Sequence, residues 1–189
     1  AMITEEERPK LLEMAVQQAD EVLILIEDLL AAARVESGTL NVAKVRVDLE
    51  AQVRQVMEGL SASSGDAVEV ATTPVLGLGD PSRSRQIIRN LVTNAIRYGG
   101  PSIRITSDHV GDRVAVIVSD DGDGIPPAER DSIFDAYSQV KGRRDVEASV
   151  GIGLHVSKQL AELMGGTLTY DHVDGWSLFR LEMPLFTSE

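Results

Sequence analysis

The chain has 189 residues, 43% hydrophobic and 25% charged, which suits a globular domain with a real core and room for an additional element. A formal net charge of -12 argues against a nucleic acid partner, whose phosphates call for clustered lysine and arginine, so an anionic ligand would need a local positive patch or backbone amides. The absence of cysteine excludes disulfide staples, thiolate metal sites and cysteine nucleophiles. No apolar run approaches the length of a membrane span, and the charged start Thr4-Glu5-Glu6-Glu7-Arg8 is not that of a signal peptide. The expectation is a cytoplasmic chain without membrane contact, even if a longer parent protein is anchored.

Residues from about Glu5 to Glu36 read as one long helix. Leu12, Ala19, Ile26 and Ala33 stand at heptad spacing, Ala15, Val22 and Leu29 fill a second seam, and Val16, Leu23 and Leu30 widen the stripe. A stripe that wide fits a helical bundle, so self-association or a partner helix is expected. Glu36-Ser37-Gly38 stops the helix and sets a domain boundary, 1–38 against 39–189. Leu40, Val42, Val45 and Val47 suggest an extended segment, Asp48 can cap a helix running to about Leu60, and Ser61 to Asp66 is a polar connection. Strands near Val68 to Ala71 and Val75 to Leu78 follow.

Asp80-Pro81 opens the next helix, Asp as cap and Pro in the first turn, and Tyr98-Gly99-Gly100-Pro101 closes it. Ile87, Ile88, Leu91, Val92, Ala95 and Ile96 fill its core-facing half, while Asn90, Asn94 and Arg97 share an arc of roughly 60° beside them. Asparagine is a poor helix former, by a few tenths of a kcal/mol against alanine, so two of them one turn apart suggest a function. Ile103 and Ile105, then Val114, Val116 and Val118, alternate as strands about a turn at Val110-Gly111-Asp112. Gly151 to Met164 reads as a helix ended by Gly165-Gly166. A last strand pair, Leu168 to Tyr170 and Trp176 to Leu181, turns at Asp174-Gly175. The pattern predicts an α+β fold, a two-layer α/β sandwich with a sheet covered by helices, preceded by the long helix.

Chemistry concentrates after the strand Val114 to Val118, at Asp120-Asp121-Gly122-Asp123-Gly124-Ile125. An aspartate at a strand end followed by alternating glycines can project its carboxylate while the backbone stays low enough for a flat ligand. A plain polar turn is the alternative. An EF-hand frame fails, because Arg130 would fill the last ligand position. Further on stand Ile133-Phe134-Asp135-Ala136-Tyr137, the basic Lys141-Gly142-Arg143-Arg144, and Ser149-Val150-Gly151-Ile152-Gly153-Leu154. Glycines before a helix offer N–H groups and a favourable dipole to phosphate. The pattern is neither a Walker A loop nor a dinucleotide fingerprint, since Val156 stands where the latter needs its last glycine.

In this order the four segments resemble the catalytic ATP-binding domain of sensor histidine kinases, within the GHKL ATPase superfamily. Asp80 to Tyr98 looks like its N box, Asp120 to Gly124 its G1 box, Ile133 to Tyr137 its F box and Gly151 to Leu154 its G2 box. The first helix resembles the second helix of the dimerisation and phosphoacceptor hairpin. The resemblance implies an α/β sandwich that binds Mg-ATP and phosphorylates a histidine on a helix outside this chain, within a homodimeric parent that serves a response-regulator receiver domain.

Residue by residue, the resemblance makes Asn94 the Mg2+ ligand with Asn90 beside it, puts Arg97 on phosphate in place of the usual lysine, and lays Tyr98 against the adenine or ribose. Asp120 would accept from the adenine amine. Gly122, Gly124 and Ile125 would line the base, with Phe134 and Tyr137 beyond, and Val150, Gly151, Ile152, Gly153 and Leu154 would border the triphosphate. Asn90, Arg97, Lys141 and Arg143 would serve the transfer, Arg144 lying beside them. Ser149 departs from the family's first G2 glycine, which leaves open a non-catalytic ATP-sensing module. An ATP-hydrolysing relative or a serine kinase is a third reading, weakened by the absence of a glutamate at position 90. His109, His155 and His172 each lack a phosphoacceptor context.

Overall fold

A computed structural model of the protein describes residues 7–60, 68–138 and 151–187. The chain divides into two compact units, Ala1–Leu40 and Asn41–Glu189. In the first, helix α1 spans Glu7–Glu36, and Gly38, at φ +66°, takes the left-handed turn that ends it. Thr39 and Leu40 donate their N–H groups back to the Arg34 carbonyl at 2.9 and 3.1 Å, satisfying one of the helix's last acceptors. Leu12, Val16, Leu23, Ile26, Leu29 and Leu30 are exposed along α1, while Asp28 and Ala31 are buried. The expected start at Glu5 lies outside the described residues.

The second unit begins with strand β1, Val45–Asp48, and helix α2, Leu49–Leu60. The extended segment expected from Leu40 is thus a ladder only at its end. Asp48 caps α2, its Oδ1 accepting from Ala51 N at 3.0 Å. The connection expected at Ser61 to Asp66 falls outside the described residues. Strands β2, Val68–Ala71, and β3, Leu76–Gly79, lead to helix α3, Pro81–Tyr98. Strands β4, Ile103–Val110, and β5, Arg113–Asp120, form a hairpin. A 3-10 helix over Pro127–Ser132, which the sequence reading did not foresee, precedes helix α4, Gly153–Leu163, and strands β6, Thr167–Val173, and β7, Trp176–Pro184. The β6–β7 turn uses Asp174 and Gly175 at φ 51° and 80°, two left-handed residues in succession, which match the twist of the flanking strands.

β1 and β3 form their own antiparallel pair, while the main sheet runs β2-β4-β5-β7-β6, parallel between β2 and β4 and antiparallel elsewhere. α3 and α4 pack on this sheet, and α2 packs on α3. Asp80 fixes the start of α3 from both carboxylate oxygens. Oδ1 accepts from Ser82 N at 2.9 Å and Arg83 N at 3.2 Å, and Oδ2 from Ala43 N at 3.0 Å. A cap of this kind contributes about 1 kcal/mol. Ile87, Ile88, Leu91 and Val92 are fully buried, each contributing about 1.5–3 kcal/mol by leaving water. Ile96 corrects the sequence reading, since it is 36% exposed. It stands at one edge of the apolar arc, in the last turn, while Ile87 at the opposite edge is fully buried, so the covering of the arc is one-sided.

The other face of the sheet is closed by charge. Ala115 and Ile117 of β5 are buried there, and Arg180, opposite Ile117 in the ladder, bonds Asp108 Oδ2 at 3.0 Å and Glu182 Oε1 at 2.7 Å. The Arg180 hydrogen bond holds the Asp108 carboxyl below its ordinary pKa. A folded pKa under the unfolded one means that the stabilisation is complete above the unfolded value and is lost as pH falls through the folded one. Arg180→Met is expected to move the Asp108 carboxyl back towards its ordinary value in an NMR titration. An unchanged midpoint would remove Arg180 as the cause.

Candidate functional site

Asn90 and Asn94 sit half-buried on α3, and Arg97 is exposed in its last turn, where a cation complements the helix dipole. Asn90 faces α4. Its Nδ2 donates to Ser157 Oγ at 2.9 Å, and its Oδ1 lies 2.6 Å from the place a Cβ on Gly153 would take. Gly153 is therefore a contact point between α3 and α4, a role that the sequence does not reveal. Among the described residues no side chain caps α4 at Ile152 or competes for the N–H groups of its first turn.

At the other end of α3, its cap Gly99 meets the end of β5. Asp120 is only 6% exposed, and its Oδ1 accepts from Gly122 N at 3.1 Å. A Cβ on Gly99 would fall 2.7 Å from Asp120 Cβ and Cγ, and one on Gly122 would fall 2.9 Å from Asp120 Oδ1. The carboxylate is thus wedged between two glycines that leave no space for its displacement. Asp121 ties in the loop after α3, its Oδ1 accepting from Ser102 N at 2.8 Å, and hydrogen bonds from the Ser102 side chain and then its backbone hold the Asp121 carboxyl below its ordinary pKa.

Strand β6 holds the far side of the glycine loop. Tyr170 OH accepts from Ile125 N at 2.9 Å, and Arg130 donates from Nε to the Ile125 carbonyl at 3.0 Å with its guanidinium 5.8 Å from the Tyr170 ring centre. Gly124 has φ +73°, and its missing Cβ would strike the His172 ring at 2.6 Å. His172 Nδ1 is buried, with no hydrogen-bond partner among the described residues. The Phe134 segment is held by α4, since His155 Nδ1 bonds the Phe134 carbonyl at 2.9 Å and Lys158 Nζ lies 5.3 Å from its ring centre. Because a carbonyl only accepts, His155 carries a proton on Nδ1.

Tyr137, 69% exposed at φ 63°, donates its N–H to the Gly151 carbonyl at 3.0 Å. Gly151, at φ +69°, lies so close to Ser138 O that a Cβ would approach it to 2.6 Å. Ile152 is buried and Leu154 half-buried. Lys141, Arg143, Arg144, Ser149 and Val150 lie outside the described residues.

α3 is therefore bracketed twice, by α4 at Asn90 and by Asp120 at its end, which gives one helix an anion-compatible neighbour and a buried acceptor. The donor set suits a hard cation shared with phosphate oxygens, since carboxamide oxygens line α3. Among the described residues no group of three His, Asp or Glu is placed to hold a metal without such help. Sequence reasoning missed Ser157, Asp121, Tyr170 and His172. Ser157 had a legible signal, a serine one turn beyond Gly153 on an otherwise apolar helix face that includes Val156, Leu160 and Ala161.

An α+β domain with a mixed five-stranded sheet, and with these brackets on α3, is the architecture of a histidine kinase ATPase domain. Residues 79–187 match the family described as histidine kinase-, DNA gyrase B- and HSP90-like ATPase, and the chain belongs to that family. It is 36% identical over 172 residues to the virulence sensor protein BvgS of Bordetella pertussis, covering 83% of this chain and 14% of that protein. It is 34% identical over 179 residues to the sensor protein TorS of Escherichia coli, covering 88% of this chain and 19% of that protein.

Among solved structures, the histidine kinase AdeS of Acinetobacter baumannii has a TM-score of 0.73 at 24% identity, covering 94% of this chain and 85% of that one. Full-length ShkA, solved with AMPPNP, has a TM-score of 0.74 at 28% identity, covering all 100% of this chain and 41% of that one. The chain is thus the catalytic ATPase domain of a sensor histidine kinase, spanning 14–19% of the two curated relatives named. Among the described residues no helix is long and apolar enough to cross a membrane.

Proposed function

We propose that this chain binds Mg-ATP between α3 and α4 and transfers the γ-phosphoryl group to a histidine on a helix other than those described. The observation that carries the reading is Asp120, a buried carboxylate wedged between Gly99 and Gly122 at the end of the helix that bears Asn90 and Asn94. Its carboxylate accepts from the exocyclic amine of adenine, where guanine would present a carbonyl. Asn94 and Asn90 supply carboxamide oxygens to Mg2+, which when bound neutralises phosphate charge. Arg97 and the start of α4 meet the phosphates, Tyr98 the base or ribose. Gly122, Gly124 and Ile125 border the base, with Phe134 and Tyr137 beyond, and Gly151, Ile152, Gly153 and Leu154 the triphosphate, with Val150 ahead of them. Lys141, Arg143 and Arg144 add positive charge near the transferred group.

In the transfer an imidazole nitrogen bonds to the γ-phosphorus as the bridging oxygen bond breaks and ADP departs. Neutral imidazole is already a competent nucleophile, so positioning and charge neutralisation carry the catalysis. The long α1 pairs with a hairpin helix, the parent acts as a homodimer, and a receiver domain takes the phosphoryl group onward. The domain boundary falls near Gly38, and the protein works in the cytoplasm.

The test supplies the chain with γ-labelled ATP, Mg2+ and a helical hairpin bearing a histidine. Acid-labile, base-stable label is expected on the hairpin and not on His109, His155 or His172. ATP binding with no transfer would instead favour a nucleotide-sensing module, and acid-stable label a serine kinase.

A further inference from the structure

The Asn90 carboxamide has two chemically opposite ends, and only its oxygen can ligate a cation. An amide that is free to rotate presents the wrong end part of the time. Here the nitrogen end is committed, with Nδ2 donating to Ser157 Oγ at 2.9 Å, and Ser157 is only 2% exposed. The oxygen end lies over Gly153, one helical turn before Ser157 on the same face of α4, and a side chain at 153 would cover it. From this geometry we infer that Ser157 is a positioning residue for the metal site. It holds the Asn90 amide by its nitrogen, which sets the oxygen over Gly153, where the absence of a side chain leaves room beside it.

The inference deepens the Mg-ATP reading and rests on it. A group that orients a ligand through a hydrogen bond commonly changes metal affinity by about 10–100-fold when lost. Ser157 is a neutral partner, so the lower end of that range applies. A packing role for Ser157 would act in any background, whereas an orienting role needs an amide to orient. Aspartate at position 90 carries oxygen at both ends and removes that need.

The experiment is a double-mutant cycle on the full chain, measuring the affinity of a non-hydrolysable ATP analogue by calorimetry as Mg2+ is varied, with EDTA as the metal-free arm. Ser157→Ala is expected to raise the Mg2+ concentration at half-effect about tenfold and to leave analogue binding in EDTA unchanged. In the Asn90→Asp background the same substitution is expected to have no effect on Mg2+. An equal effect of Ser157→Ala in both backgrounds, or a matching loss in EDTA, overturns the orienting role in favour of packing. No Mg2+ effect of Ser157→Ala, with Asn90→Ala abolishing it, overturns the role of Ser157 alone. An unaltered Mg2+ dependence in Asn90→Ala overturns the assignment of Asn90 itself. Circular dichroism of each variant separates these outcomes from unfolding.

Discussion

Asp120→Ala is expected to weaken ATP binding about a hundredfold while the far-UV circular dichroism spectrum stays that of the native chain. The carboxylate is buried, so its bond to a ligand amine competes with little water, and a charge-assisted hydrogen bond of this kind is worth about 1.5–3 kcal/mol. At roughly 1.4 kcal/mol per decade that range is one to two decades of affinity. The upper end applies because alanine also leaves Gly122 N–H without its 3.1 Å acceptor and lets the glycine loop drift from the base.

Asp120→Asn keeps the shape and separates charge from geometry. With its oxygen towards Gly122 the amide presents N–H groups outward, which repel adenine and suit the guanine carbonyl. The ATP preference over GTP is therefore expected to shrink or invert in this variant, as competition binding would show. Equal ATP affinity of wild type and Asp120→Ala would end the assignment.

Gly99→Ala is expected to damage stability and nucleotide binding together. The new methyl would sit 2.4 Å from the Ala95 carbonyl oxygen and 2.7 Å from Asp120 Cβ and Cγ. None of these is the far end of a flexible side chain, so the end of α3 or the end of β5 has to move. Overpacking of this kind costs about 1–3 kcal/mol, a fall of roughly 2–10 °C in Tm at this size. The affinity loss is expected to be about tenfold, because the displaced atoms carry the carboxylate proposed to read the base. Gly59→Ala is the control. Among the described residues a Cβ there meets nothing within 4 Å in the last turn of α2, and the same chemical change should stabilise by up to about 1 kcal/mol. Wild-type melting and binding in Gly99→Ala would show that the wedge around Asp120 is slack.

What was legible in the sequence was local. Asp80-Pro81 announced a helix start that the structure builds with Ser82 and Arg83, and the alternation of Val114, Val116 and Val118 marked a strand whose register with β4 and β7 follows. The β3 strand came out one residue from its expected place, at Leu76–Gly79, because Gly77 and Gly79 carry no side-chain pattern to read. The separate β1–β3 pair was invisible for the same reason, since nothing local says which strand an edge will choose.

Ile96 failed differently. Helical spacing puts it on the apolar arc, yet the width of the arc that is covered depends on where the sheet and neighbouring helices sit. Gly124 and Gly153 stand out in the sequence only as glycines beside a loop and a helix start, and Gly99 only as the stop of its helix, whereas in the structure each meets a neighbour far along the chain, His172, Asn90 and Asp120 respectively. Such contacts exist only once the chain has folded.

The placement of Asp120 has a consequence for the order of events on the ribosome. Its strand β5 is hydrogen-bonded to β7, with Asp120 opposite Ser177, and the loop that follows hangs from Tyr170 on β6. Both strands are translated after every residue of α3, of the glycine loop and of the start of α4. A nascent chain that has already exposed all of these would still lack the wall against which its acceptor is set. If Asp120 reads the base as proposed, nucleotide recognition is expected to follow synthesis of the last hairpin, not to template earlier folding.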